Sequence, residues 1–421
     1  MPIAFVVIIM LDAASLRQQF PALSEMYHGR TPIFLDGPAG TQVPRRVIDA
    51  IANYLTRSNA NHGGVFATSV ESDRILDAAH HAVADFLNAP SPDEIIFGAN
   101  MTTLTFALSR TLAKTWKPGD EILVTRLDHD ANVTPWVLAA RDAGAAVKYV
   151  EINPDDCALN LDSFRAQLSE RTKLVAVGLA SNVAGTINPV AQIAAETKRV
   201  GATVFVDAVH FAPHGPIDVV ALGCDFLACS AYKFFGPHVG ILWGRRALLE
   251  TLPAYKVRPA PNELPGRWMT GTQNHEGIAG VAACIDYLAE IGRGLGVAGR
   301  RAELRTAMNA IQDYELSLAK LMLAGLLEMP RFTIHGIRDV GRLEERVPTF
   351  IITDRGLSPR RIAEHLAERG IFAWHGNNYA LQISERLGVE ARGGFVRLGL
   401  VHTNVEDEID ATLAALGELP G

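Results

Sequence analysis

The sequence predicts an α/β fold: a large unit built on a mostly parallel sheet, followed by a smaller C-terminal α+β unit. Three observations point to it. Between about residues 94 and 243, short β-rich runs alternate with segments of helical period, the mark of βαβ units. A proline-rich polar stretch from Pro253 to Pro265 then breaks the pattern, as a surface crossing would. Beyond residue 300 the apolar periodicity becomes that of longer helices separated by isolated strands. The large unit is expected over residues 31–299. The small one is expected over 300–421, with residues 11–30 added to it.

The elements follow in order. Residues 1–10 include the apolar run Ile3 to Met10, too short to span a bilayer, without a basic start or a cleavage site. They read as a non-native or disordered extension ahead of Met10, or as a short strand. Glu94 to Phe97 and Glu121 to Val124 are strand-like, and a helix after Pro135 ends near Gly144. Lys173 to Leu179 is an apolar strand. Asn188 is placed to cap a helix with Pro189 at its first position, and Gly201 closes that helix before the strand Thr203 to Val206. Asp225 to Ser230 is the next strand. In the second unit, Ile311, Tyr314, Leu318 and Leu321 mark one face of a long helix that stops before Pro330. Val347 to Ile352 is strand-like, and Ser358-Pro359 opens a helix that Gly370 ends. The strand Phe395 to Val401 precedes a helix capped by Asn404, with Glu406, Asp407 and Glu408 in the turn where the helix dipole favours acids.

Composition narrows the function. A chain of 421 residues with 48% hydrophobic content can bury a large core. Its 46 acidic against 39 basic residues, with no Lys/Arg run, argue against a nucleic-acid partner. Cys157, Cys224, Cys229 and Cys284 are too few and too scattered for a disulfide framework or a zinc knuckle, which fits a reducing cytoplasm, and no metal site is expected.

In open α/β sheets ligands bind beyond the carboxyl ends of the strands. The residues just past the strands are Thr102 and Thr103, Asp128-His129, Ser181-Asn182, Asp207, and Ser230 with Lys233. Two threonines opening a helix can hold a phosphate or simply cap the helix. His129 can lie over a conjugated ring or be an ordinary loop histidine. Asn182 can meet a phenolic oxygen or fix its own turn before Gly185. Asp207 ends an apolar run, where an ionised carboxylate is costly without a cationic partner. An amine and an acid at neighbouring strand ends are what pyridoxal phosphate requires, the lysine to hold the aldehyde as a Schiff base and the acid to keep the pyridine nitrogen protonated.

Taken together and in order, these segments resemble the class V aminotransferases of pyridoxal-phosphate fold type I, and within them the cysteine desulfurases, from about Phe34 to Leu400. The resemblance rests on Phe34-Leu35-Asp36-Gly37-Pro38-Ala39-Gly40-Thr41, on Asp128-His129 with Asn132 and Pro135-Trp136, and on Ser181 to Pro189. It continues through Val206-Asp207-Ala208-Val209-His210 with His214 and Asp218, and through Ser230 to Gly236. It implies that Lys233 binds the cofactor and moves the substrate α-proton, that Asp207 meets the pyridine nitrogen, and that His129 stacks on the ring. It further implies that Asn182 contacts the phenolic oxygen, with His210 beside the cofactor where the family has a glutamine. Thr102, Thr103 and Ser230 would hold the phosphate, completed by Gly271-Thr272 from the partner subunit of a homodimer. Arg397 would grip the substrate carboxylate, a task suited to a bidentate guanidinium.

The sequence departs from the desulfurases at one decisive place. Where they carry a mobile cysteine in Gly-His-His-Cys-Ala, this chain reads Gly376-Asn377-Asn378-Tyr379-Ala380. Tyr232 also replaces the histidine before the lysine. The expectation is therefore an enzyme acting at the α-carbon of a small amino acid, possibly one containing sulfur, by β-lyase or aminotransferase chemistry. Tyr379 would stand near the substrate as a proton donor or as a packed loop residue. Desulfuration by another sulfur route and racemisation stay open. A dehydrogenase is the rival class, since Gly294 to Gly299 forms G-x-G-x-x-G, but the motif follows a helix-like run from Ile278 to Ile291 and reads as a connection. A non-catalytic binding protein would be expected to lack Lys233 or Asp207.

Overall fold

The computed structural model describes residues 11–420, so the N-terminal run Ile3 to Met10 lies outside the described residues. A seven-stranded sheet forms the centre of the large unit, in the order Ile95–Gly98, Gly240–Gly244, Phe226–Ser230, Thr203–Asp207, Thr172–Gly178, Glu121–Thr125, Ala146–Val150. Six strands run in one direction, and Gly240–Gly244 runs against them. The strands at 146–150 and 240–244 complete a sheet whose other members show in the sequence as short apolar runs.

Both faces of this sheet are covered, which is why its strands are apolar without alternation. In Glu121–Thr125, Leu123 joins one core layer while Ile122 and Val124 join the other. The first layer holds the helices Ala67–Leu87, Val190–Lys198 and His275–Gly294; the second holds Met101–Ala113 and Thr134–Ala143. Trp136 is fully buried in the second layer and gives its indole N–H to Asn132 Oδ1 at 3.0 Å, so truncating it would cost about 3–5 kcal/mol.

Several ends differ from the sequence reading for local reasons. The helix Val190–Lys198 starts without a side-chain cap: Asn188 instead donates its Nδ2 to Gly178 O at 2.8 Å, tying the loop to the end of a strand. Asn404 likewise does not cap Glu406–Gly417. It accepts from Val401 N and donates to Glu408 Oε2 and Phe34 O. Leu321 is 42% exposed, and Leu318, Met322 and Leu326 carry the buried stripe of the helix Arg300–Leu327. The Gly294 to Gly299 segment is the turn between two antiparallel-packed helices, far from any βα junction, with Gly296 and Gly299 at positive φ.

The second sheet is antiparallel, in the order Trp374–Gly376, Phe395–Gly399, Thr349–Asp354, Phe332–His335. Its outer face packs Ile352, Val396 and Leu398 against the helices Arg300–Leu327 and Pro359–Glu368. Its other face carries Ile351 and Phe395 into the core of the large unit. Ile33–Phe34 pairs with Ile371–Phe372, and Leu35 joins the smaller core, so these residues side with the small sheet although they stand within the range expected for the large unit. No helix among the described residues is long and apolar enough to cross a membrane.

Candidate active site

Parallel strands in register end at one edge, and there the predicted residues meet. Asp207 closes its strand opposite Gly178 on one side and Ala228 on the other. One cavity is lined by Asn100 and Thr102 past the first strand, and by Asp128 and His129 past the second. Asn182, Asp207 with His210, and Ser230 with Lys233 come from the ends of the strands Thr172–Gly178, Thr203–Asp207 and Phe226–Ser230. Seven expected residues are therefore together: Thr102, His129, Asn182, Asp207, His210, Ser230 and Lys233.

The remaining four lie elsewhere. Thr103 spends its hydroxyl on the helix start, accepting from Asn100 N and donating to Asn100 O in a capping box, which leaves it outside the cavity wall. Thr272 lines a separate outer groove with Asn61, His62 and His275. Arg397 stands behind the cavity wall, buried, with Nη1 donating to Asn182 O at 2.9 Å. Tyr379 lies outside it, 73% exposed, with its ring stacked on His129 at 5.4 Å between centroids.

The helix Met101–Ala113 points its N-terminus at this edge. Met101 N donates to Ser230 Oγ at 3.0 Å, which brings the serine to the helix start, where unpaired backbone N–H groups and the dipole favour an anion. Asn182 donates Nδ2 to Asn378 O at 2.8 Å, while its buried Oδ1 has no donor among the described residues. A buried acceptor left open in a cavity wall is a place for a bound molecule.

Charge in the cavity is set by burial. Lys233, whose Nζ donates to Pro38 O, is drawn down to about 7 first by desolvation and then by the Arg397 cation, against the pull of Asp207 and Asp36. Asp207 is raised to about 6 by burial, opposed by the Val209 N–H on Oδ1 at 2.9 Å and by Lys233. His129 is lowered to about 4 by burial and then by Lys233 and Arg397, so its ring is neutral at pH 7.

Two carboxyls named in the sequence motifs, Asp128 and Asp36, are given no role there. Asp128 is buried beside Asp207 and pushed up to about 8, by desolvation and then by that neighbour. Its Oδ1 accepts from Gly178 N at 2.7 Å and its Oδ2 from Asn132 Nδ2 at 3.2 Å. A Cβ at residue 178 would come within 2.5 Å of that oxygen, so glycine is what lets the carboxyl reach the strand end. Asp36, raised by burial to about 6, is held down in part by Arg397 and Lys233. For Asp128 the signal was available, since it is an acid at a strand end just as Asp207 is. Asp36 is brought in by the small sheet through its bridge to Gly399, which no local pattern announces.

An anion-favouring helix start, a buried carboxyl pair, a flat neutral ring and a partly deprotonated amine on one wall are the donor set that pyridoxal phosphate requires, and the residues present fit it. The comparisons agree. The family model described as aminotransferase class-V matches residues 33–412. A probable cysteine desulfurase of Streptomyces coelicolor is 33% identical, over 97% of each chain. A cysteine desulfurase of Pectobacterium atrosepticum is 30% identical, over 95% of this chain and 96% of its own. Among solved structures, the apo cysteine desulfurase of Thermococcus onnurineus superposes with a TM-score of 0.85 at 26% identity, over 96% of this chain and 97% of that one. An Escherichia coli cysteine desulfurase in its S-sulfonic acid form gives 0.82 at 26% identity, over 96% and 98%. The chain thus belongs to the class V aminotransferase family, as a cysteine desulfurase-like enzyme of fold type I that uses pyridoxal 5'-phosphate.

Proposed function

We propose that the enzyme acts at the α-carbon of a small, sulfur-containing amino acid without forming a persulfide on itself, releasing the β-sulfur substituent or transaminating the substrate. One observation carries this reading. All four cysteines are buried in the core, with thiols raised by desolvation, to about 12 for Cys157 and Cys224 and further for Cys229 and Cys284. None lines the cavity, and Tyr379 occupies the loop position where the desulfurases carry their cysteine. A thiolate is the nucleophile that sulfur transfer needs, and these thiols stay protonated and enclosed.

When bound, the cofactor would supply an electron sink for the charge that develops at the substrate Cα. The chain's own groups do the rest. Lys233 anchors the cofactor and then takes the α-proton, which its lowered basicity and nearby cations suit it to do near neutral pH. Asp207 would keep the pyridine nitrogen protonated, beside Asp128, which burial and the neighbouring carboxylate hold largely in its neutral form. His129 would lie on the ring, Asn182 would offer the second hydrogen of Nδ2 to the phenolic oxygen, and His210 would stand beside the cofactor. Thr102 and Ser230 would hold the phosphate at the helix start, and Arg397 would bind the substrate carboxylate. Thr272, on its outer groove, serves the phosphate site of the partner in a homodimer, as the resemblance implies.

Product analysis with cysteine, cystine and alanine tests this. Pyruvate, ammonia and sulfide from cysteine mean elimination, and a keto acid with pyridoxamine phosphate means transamination. Alanine formed together with transferable sulfur would overturn the proposal and restore desulfuration.

A further inference from the structure

The edge strand Trp374–Gly376 carries an aromatic side chain next to Arg397. The two strands pair so that Trp374 stands directly opposite Arg397, and the same row continues through Ile351 to His335. Opposed residues share a sheet face, with Cβ atoms about 4.5–5.5 Å apart. Ile351 enters the core of the large unit, so this is the face turned toward the cofactor cavity. Arg397 is buried on it, whereas Trp374, one strand further out, is 51% exposed.

The indole of Trp374 is free. Trp136, Trp243 and Trp268 each give their N–H to an acceptor within the protein; Trp116 and Trp374 give theirs to none among the described residues, and of these two only Trp374 is exposed. The other aromatic at the mouth, Tyr379, is already stacked on His129. Trp374 shares an open groove with Asp36, Phe372 and His375, whose far wall is Arg360 and Glu364 of the helix Pro359–Glu368. Asp36, at one end of the groove, bridges Gly399 on the strand that carries Arg397, and Pro38, two residues on, accepts from Lys233 Nζ, so that end of the groove lies beside the reacting centre.

We propose that Trp374 determines specificity: the substrate is a cysteine thioether whose sulfur carries an aromatic ring, and that ring lies on the indole while Arg397 holds the carboxylate. This rests on the function proposed above. With the carboxylate on Arg397 and the α-carbon facing Lys233, the side chain is left the direction of the groove, where a half-exposed indole offers a flat apolar surface.

The test is titration of the visible cofactor band of the holoenzyme with L-alanine, S-methyl-L-cysteine and S-benzyl-L-cysteine. The wild type should bind the benzyl compound about five- to tenfold more tightly than the methyl one, the range expected of one aromatic pair. Trp374→Ala should bring the ratio to within about twofold and leave alanine binding unchanged, which also shows that the variant is folded; Trp374→Phe should keep most of the preference. Equal binding of the two thioethers by the wild type, or a preference that survives in Trp374→Ala, overturns this inference and leaves the proposed function standing. A protein with no visible band, or a band that no amino acid perturbs, removes both.

Discussion

Asp207 ends a strand that is hydrogen-bonded on both sides, and Lys233 follows the next strand after a single turn. Tyr379 stands instead in a loop where Asn378 and Tyr379 have φ of 53° and 60°, held by Asn377 Oδ1 on its own N–H and by Asp130 N on its carbonyl oxygen. The first region is fixed by the sheet: moving any group there means moving a strand and its core. The second is fixed by a few polar contacts at the surface, in a conformation that non-glycine residues rarely adopt. The contrast separates two parts of the chemistry. On the proposed function, the sheet holds the cofactor and the first proton transfer. On the same reading the loop holds the outcome, and its residues can change without disturbing the sheet.

Three experiments bear on that contrast, in decreasing order of effect. Lys233→Ala removes the amine from the floor and should lower turnover by about three orders of magnitude or more, with loss of the borohydride-reducible band. Turnover close to wild type in this variant would place the chemistry elsewhere. Next, cofactor uptake by the cofactor-free protein should follow deprotonation of Lys233. The neutral amine is the reacting form, so uptake should rise with pH to a plateau with its midpoint near 7, below which it falls about tenfold per unit. A midpoint close to the ordinary 10.5 would mean that water reaches the amine and that the floor is not sealed. Smallest is Tyr379→Phe, which keeps the stacked ring on His129 and should leave the cofactor spectrum unchanged and turnover within about twofold. A large loss would make the phenolic hydroxyl part of the proton chemistry and erase the division between floor and loop.

The sequence disclosed the floor well because each of its groups follows an apolar run. A carboxylate after Val204 to Val206 and an amine after Phe226 to Ser230 are visible as breaks in hydrophobicity. It disclosed less where one residue type serves two purposes. Thr103 sits beside Thr102 in sequence, but one hydroxyl closes a capping box and the other residue lines the cavity. Asn188 and Asn404 have the composition of helix caps and serve as ties between distant segments, a choice made by tertiary neighbours that propensity does not contain. Asp36 and Arg397 come to the site from the small sheet, and only pairing between strands far apart in the chain brings them there.

The pocket wall is stitched across both units: Arg397 Nη1 to Asn182 O, Asn182 Nδ2 to Asn378 O, and His210 Nε2 to Thr349 Oγ1 at 3.0 Å. A ligand that requires this wall intact is linked to the folding of both units at once. In calorimetry, loading with cofactor should therefore merge and raise the melting of the two units as one cooperative event, by an amount that grows with free ligand concentration.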